Sequence, residues 1–446
     1  MRDGIKVSII LPSLNVGAYI SESIESARNQ TLHDIEIICI DAGSTDGTWE
    51  KIQEQASEDD RIIALRSPVK SYGFQVNMGL DRARGRYVAV LETDDYVAEG
   101  MYGTLCRIAE EHGVDYVKCD YSTYVTDENG ERLFTERRIS MDRGLYSDVF
   151  KPSEHPDTVV DDWYLWNGIY DADFLRRNGI RFSETPGAAF QDIGFLHKTC
   201  SSAEKALYVG ESLYRYCVDR DGASSNSDRT LKFIRKEYGL LVDGLGESPD
   251  SPSRNMLYRR MARSFVRACM DSTDGMLMEV EAADICAWFQ RQLREAERWG
   301  YVKEDDIPIS LRGGYRHLMS PAFGFVTYRG MRTREFYEFL SDGCSVIVFG
   351  CGVYGREACR FLKASRYEIA GFMDNNKKLW GNHIDGFAVM SPETIKELPD
   401  TMKYLVASEK YANDIANQLR EYIASENIFI YTSELVYTEN YKKRRK

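Results

Sequence analysis

Tyr87-Val88-Ala89-Val90-Leu91-Glu92-Thr93-Asp94-Asp95 decides how the first half of the chain is read. A short, unbroken apolar run is the signature of a strand buried on both faces, as in a parallel sheet covered by helices. The run ends abruptly in acidic residues, with Glu92 and Asp94 separated by one position. The same pattern recurs upstream. Val7 to Leu11 is an apolar run closed by Pro12, and a helical pattern follows with Tyr19, Ile20, Ile24 and Ala27 on one face. Ile35 to Ile40 is the next strand, and Ser44 or Thr45 caps a helix through Trp49, Ile52 and Ala56. Ile62 to Leu65 is a third strand, and Asn77 to Ala83 reads as a helix ended by Gly85. Strands alternating with helices imply a parallel sheet, and such sheets bind ligands beyond the carboxyl ends of their strands. Three of those ends carry polar clusters: Pro12-Ser13-Leu14-Asn15, Asp41 to Asp46, and Glu92 to Asp95.

Further along, residues 161–225 are rich in aromatics, Gly, Asp and Arg without clean periodicity, and read as a loop-rich lobe. Residues 228–340 turn helical and highly charged, with amphipathic stretches over Met256–Cys269 and Asp284–Trp299. A second alternating unit begins at Cys344–Phe349, continues through Gly350-x-Gly352-x-x-Gly355 and a helix to Leu362, and adds strands at Tyr367–Met373, Tyr404–Ala407 and Ile428–Tyr431. The expected architecture is therefore α/β: a nucleotide-binding, Rossmann-like domain over 1–225, a helical segment over 226–340, a second small Rossmann-like domain over 341–437, and a basic tail over 438–446.

Composition excludes several functions. The net charge is −13, which argues against the broad basic face that nucleic acid requires. Hydrophobic residues make up 43%, so large cores can form, yet no apolar run is long enough to span a bilayer. The polar start, Met1 to Lys6, leads straight into a strand, so no signal peptide is expected. The ten cysteines are scattered without a CxxC pair and read as reduced thiols of a cytoplasmic protein, and the six scattered histidines make a zinc site unexpected.

The acidic clusters carry the chemistry. Paired carboxylates beyond a strand suit Mg2+ or Mn2+, which take oxygen ligands from one or two carboxylates together with phosphate oxygens. A departing diphosphate needs such a cation to absorb its charge. Asp41, with Gly43-Ser44-Thr45-Asp46 opening a helix, offers a carboxylate and backbone N–H groups to a nucleotide. Pro12, Ser13 and Asn15 form a turn able to touch a base. Asp192, in Thr185 to Phe195, is a carboxylate from a distant segment, as needed for a base facing the opposite side of a reacting sugar. Each cluster alone has a plain structural reading: a turn, a helix cap or a solvated acidic loop.

In order along the chain, these motifs resemble the family 2 glycosyltransferases, the GT-A group that builds bacterial envelope polysaccharides. The resemblance covers about Lys6 to Ser225. It rests on Val7 to Asn15, Asn29-Gln30-Thr31, Glu36 to Asp41, Gly43 to Gly47, Asn77 to Leu80, Ala83 to Tyr87, Leu91 to Asp95, and Pro186 to Asp192 with Phe195. It implies an inverting, metal-dependent transfer from a nucleotide sugar, usually a UDP-sugar, to a hydroxyl of a glycan or lipid-linked saccharide. By the same resemblance Pro12, Ser13, Asn15, Asp41, Ser44, Asn77, Glu92, Thr93 and Asp94 contact the donor. Glu92 and Asp94 handle the metal, and Asp192 is the catalytic base. The chain departs from the usual pattern at Leu14, Ala42 and Val76, and Glu92 stands where the first Asp of the DxD motif is usual.

Gly350, Gly352 and Gly355 follow a strand and open a helix, and Asp374 is placed to meet a ribose hydroxyl, so this segment reads as a second nucleotide site. The glycines also serve a plain tight turn. The basic tail, Lys442 to Lys446, would touch anionic lipid at the inner face of a membrane or remain solvated. A homo-oligomer is compatible with all of this. Two rival functions fit parts of the pattern: a non-catalytic sugar-nucleotide sensor or scaffold, and an NAD-dependent sugar oxidoreductase acting through the C-terminal domain.

Overall fold

A computed structural model describes residues 4–126, 131–140, 142–160, 162–218, 229–245, 252–272, 274–277, 279–319, 325–408 and 411–431. The basic tail, with its membrane reading, and residues 161 and 219–225 of the aromatic lobe lie outside the described residues. The chain divides into two compact units, Met1–Arg260 and Met261–Lys446. The first thus runs past position 225, where the composition changes.

The first unit is built on a nine-stranded sheet. Strands β1 (Val7–Ser13), β2 (Ile35–Asp41), β3 (Ile62–Arg66) and β4 (Tyr87–Val90) pair in parallel in the order β3-β2-β1-β4. The sheet continues through β8 (Gly168–Asp171), β6 (Tyr116–Thr126), β9 (Ala206–Cys217) and the two-residue β5 (Tyr96–Val97), with β7 (Arg132–Arg137) hung on β6. Alternate residues feed two cores. Val7, Ile9 and Leu11 of β1 pack with Ile20, Ile24, Ile52, Met101 and Leu105 of α1 (Ile20–Arg28), α2 (Thr48–Glu58) and α4 (Met101–His112). On the other face Ile10, Ile38, Ile40 and Val90 pack with Val76 of α3 (Tyr72–Arg82) and Val159 of α5 (Pro156–Val159). Phe174 of α6 (Ala172–Arg177) and Phe195 of α7 (Asp192–Ser202) complete that core. Burial on both faces is why these strands read as continuous apolar runs.

Several element boundaries differ from the sequence reading. Pro12 does not end β1, which continues to Ser13 with Pro12 opposite Ile40. The β1–β4 ladder has already stopped at Ile10, so proline's missing donor is not needed on that side. Helix α2 begins at Thr48 after Gly47 in the left-handed region, not at Ser44 or Thr45. Helix α3 begins at Tyr72, five residues ahead of the expected start, because the Ser71 hydroxyl caps it by accepting from the Phe74 amide at 3.2 Å. The lobe expected to be loop-rich contains β8, α6, α7 and the twelve-residue strand β9. The pairing of β9 with β6 jumps from Cys119–Val209 to Asp120–Ser212, an irregularity that breaks its alternation.

The second unit carries helices Val280–Arg298, Ile309–Leu318 and Phe325–Phe339 and a six-stranded sheet. Strands β10 (Val346–Phe349), β11 (Ile369–Met373), β12 (His383–Ile384), β13 (Phe387–Met390), β14 (Lys403–Val406) and β15 (Ile428–Ile430) lie in the order β12-β13-β11-β10-β14-β15. All pairings but β12–β13 are parallel. No helix among the described residues is long and apolar enough to cross a membrane.

Candidate active site

At the carboxyl ends of β1 and β2 the two polar turns are knitted together. Asn15 takes a positive φ of 54°, a conformation its short amide tolerates. The Asn15 amide donates to Ser44 Oγ at 2.8 Å, and the Thr45 amide donates back to Asn15 Oδ1 at 2.9 Å. Asp46 Oδ2 accepts from the Gly17 amide at 2.8 Å, and its other oxygen takes the Thr48 hydroxyl at 2.6 Å. Asp41 is fully buried. Its Oδ2 accepts from the Gly43 amide at 3.0 Å, the Ser44 amide at 3.1 Å and Arg66 Nη1 at 2.7 Å, and Arg66 lies over the Trp49 ring. The side chains of Asn15, Asp41 and Ser44 therefore hold these two loops together.

Beyond β4 the chain turns sharply, with the Asp95 amide donating to the Glu92 carbonyl at 3.1 Å. Thr93 points inward and its hydroxyl donates to the Pro12 carbonyl at 3.0 Å, tying this turn to the end of β1. Glu92 and Asp94 are half-buried, and Asp95 is buried. Asp95 accepts from the Tyr214 hydroxyl at 2.8 Å and the Cys217 amide at 2.8 Å. Burial, reinforced by the charges of Asp94 and Glu92, pushes its carboxyl well above the usual range. Glu92 and Asp94 carry the negative charge of this turn, and an oxygen-seeking dication would be attracted to it. Among the described residues no group of three or more His, Cys, Asp or Glu forms a complete cage. The donor set fits a cation held by one or two carboxylates and completed by ligand oxygens. Sequence reasoning placed Asp95 in the acidic cluster without a role of its own, and missed Tyr214.

Asp192 opens α7 after Gln191. Gln191 is buried and braces the preceding loop: its amide nitrogen donates to the Thr185 and Gly187 carbonyls at 3.2 and 3.1 Å, and its oxygen accepts from the Ala189 amide at 2.8 Å. Two further contacts come from Glu237 of α8 (Thr230–Asp243), which accepts from the Ser183 and Thr185 hydroxyls at 2.6 and 2.9 Å. Burial raises the Asp192 carboxyl to about 6, with Glu237 adding and Arg260 opposing.

This loop is stitched to the start of α3. The Tyr72 amide donates to the Gly187 carbonyl and the Gly187 amide to the Lys70 carbonyl, each at 2.9 Å. The Ser71 hydroxyl donates to the Thr185 carbonyl at 2.8 Å. Asn77 sits further along α3, buried, with its side chain engaged by Phe182 and Glu184: its amide nitrogen donates to them at 3.1 and 2.9 Å, and its oxygen accepts from the Phe182 amide at 3.1 Å. Tyr72 itself reaches across to Glu92, donating to Oε1 at 2.6 Å. Its phenol is held protonated well above the usual range by burial and then by Glu92, and the charge of Asp192 acts on it as well. The structure thus brings the Glu92–Asp94 turn and Asp192 into the surroundings of one tyrosine. The sequence reading began this helix at Asn77 and missed Tyr72; the capping serine at position 71 was the signal that could have found it.

In the second unit Gly350 has a φ of +114°, and a Cβ on Gly355 would lie 1.8 Å from the Gly350 carbonyl oxygen. Only glycine fits this strand–helix turn. Asp374 accepts from the Cys351 and Asn376 amides, one on each oxygen, both at 2.8 Å. Gly352 is the N-cap of helix Val353–Ala364.

Comparison with known proteins supplies independent findings. The glycosyl transferase family 2 profile matches residues 8–174, and a profile described as C2185-like, N-terminal, matches residues 344–430. The uncharacterized glycosyltransferase EpsJ of Bacillus subtilis is 30% identical over 211 residues, which is 47% of this chain and 60% of EpsJ. Glycosyltransferase GlyG of Streptococcus pneumoniae is 27% identical over 237 residues, 51% of this chain and 76% of GlyG. The fold is similar to that of S. aureus TarS residues 1–349, solved in complex with UDP-GlcNAc. TarS superposes with a TM-score of 0.54 at 18% identity, covering 75% of this chain and 91% of that one.

Proposed function

Through residues 8–174 the chain belongs to glycosyl transferase family 2, and from that premise we propose that it transfers a sugar from a nucleotide donor to a saccharide hydroxyl with inversion. The observation that supports this reading best is Tyr72, whose hydroxyl holds Glu92 of the turn after β4 and whose amide and ring engage the loop and helix that carry Asp192, about a hundred residues later. The buried Asp41 and the Asn15–Ser44 clasp set the walls of the nucleotide pocket. Glu92 and Asp94 would hold Mg2+ or Mn2+, which supplies positive charge to the departing diphosphate. Asp192 takes the proton from the attacking hydroxyl. A carboxyl with a pKa near 6 is suited to that task, since it is ionised at neutral pH yet more basic than an ordinary aspartate. The Gln191 and Glu237 contacts fix the loop that delivers it, so the acceptor meets a base already in place.

UDP-sugars are the first donors to test, with a glycan or lipid-linked saccharide as acceptor. Purified protein should release UDP from at least one UDP-sugar in the presence of Mg2+ or Mn2+, and a chelator should abolish the release. Metal-independent release across the whole donor panel, or none with any nucleotide sugar, overturns the proposal.

A further inference from the structure

We propose that Tyr72 is a positioning residue that sets the Glu92 carboxylate and locks it to the loop carrying Asp192, so that the donor side and the base side of the site are assembled as one unit. The inference rests on the glycosyl-transfer reading above.

The geometry carries it in three steps. The Tyr72 hydroxyl donates to Glu92 Oε1 at 2.6 Å, a short bond to a charged acceptor. The same residue's amide donates to the Gly187 carbonyl at 2.9 Å, in the loop that leads to Asp192. Its ring packs edge-on against Phe182 at 5.9 Å, and Phe182 stacks at 4.5 Å on Phe195 of α7, the helix that Asp192 opens. One residue therefore touches the acidic turn through its hydroxyl and, through Phe182, braces the base's own helix.

This arrangement also explains why Glu stands at position 92. The backbone there is fixed on both sides: the Leu91 amide donates to the Ile10 carbonyl at 2.9 Å, the Glu92 amide meets the Tyr214 hydroxyl at 3.3 Å, and the Asp95 amide closes the turn. An aspartate would fall short of the Tyr72 hydroxyl by about one carbon–carbon bond, roughly 1.5 Å. The longer side chain and the tyrosine are thus a matched pair. Gly73 permits the close approach, since a Cβ there would lie 1.9 Å from the Ser183 carbonyl oxygen.

The test is a double-mutant cycle on the full chain, read by calorimetric binding of UDP in the presence of Mn2+ and by steady-state kinetics with the active donor. Tyr72→Phe keeps the ring and removes the oxygen. It should weaken Mn2+-dependent UDP binding by about ten-fold to a hundred-fold and raise the donor KM, with the pH midpoint of kcat unchanged. Glu92→Asp should do the same, and the double variant should lose little more than either single change. UDP binding by both single variants equal to that of the parent protein, or fully additive losses, overturns the inference while leaving sugar transfer intact. If Tyr72→Phe does not fold, Glu92→Asp alone decides, because undiminished UDP binding there refutes the pairing. A parent protein that binds no UDP with Mn2+ and turns over no donor removes the underlying reading, and the inference falls with it.

Discussion

Asp192 shows how one residue's environment becomes measurable chemistry. Its carboxyl is raised to about 6, mainly by burial. If Asp192 accepts the acceptor's proton, kcat should fall below about pH 6 with a slope of one proton and level off above pH 7. A profile flat from about pH 5 to 8 would show that another group does the work. The same shift has a consequence for stability. The native carboxyl holds its proton more tightly than the unfolded chain does, so the fold loses stability as pH rises from about 4 to about 6. Asp192→Asn should therefore abolish transfer and yet raise the unfolding free energy at pH 7.5 by on the order of 1–2 kcal/mol, read by urea denaturation. Asp192 and the Glu92–Asp94 pair were legible in the sequence because acidic residues at strand ends and at a helix start stand out. Tyr72 and Tyr214 were not, because an aromatic residue at a helix start or in a strand looks like ordinary packing.

At the level of elements, the decisive contact is α3 against the 183–187 segment. Gly73 faces the Ser183 carbonyl so closely that any side chain must displace it. Gly73→Ala should cost about 1–3 kcal/mol of stability and reduce kcat by shifting the Asp192 loop. An unchanged denaturation midpoint would contradict so close a contact. The four parallel strands were readable from their apolar runs, which follow from burial on both faces. The other strands of the first sheet were not. β6 buries Lys118, Asp120, Ser122 and Thr123 among its apolar residues, with Lys118 paired to Asp162. β9 is interrupted opposite Asp120. Paired polar residues and a bulge erase the alternation on which strand recognition depends.

At the scale of the whole molecule, each compact unit is organised around its own sheet, and the two units carry different degrees of functional definition. The first gathers polar side chains from separate stretches of the chain at the carboxyl ends of its strands, as its topology requires. In the second, the glycine turn and Asp374 were both expected from sequence, but the Asp374 carboxylate is occupied by two backbone amides of its own unit. That is a task the spacing of residues could not reveal. EpsJ and GlyG align with about half of this chain, and the alignment reaches only 60% of EpsJ.

The most direct measurement of the central claim compares the parent protein with Asp192→Asn under identical Mn2+ and donor concentrations, following UDP binding by calorimetry and sugar transfer by product formation. The account predicts that the variant binds UDP as tightly as the parent and loses transfer by at least about a hundred-fold. Transfer at the parental rate in Asp192→Asn would contradict it.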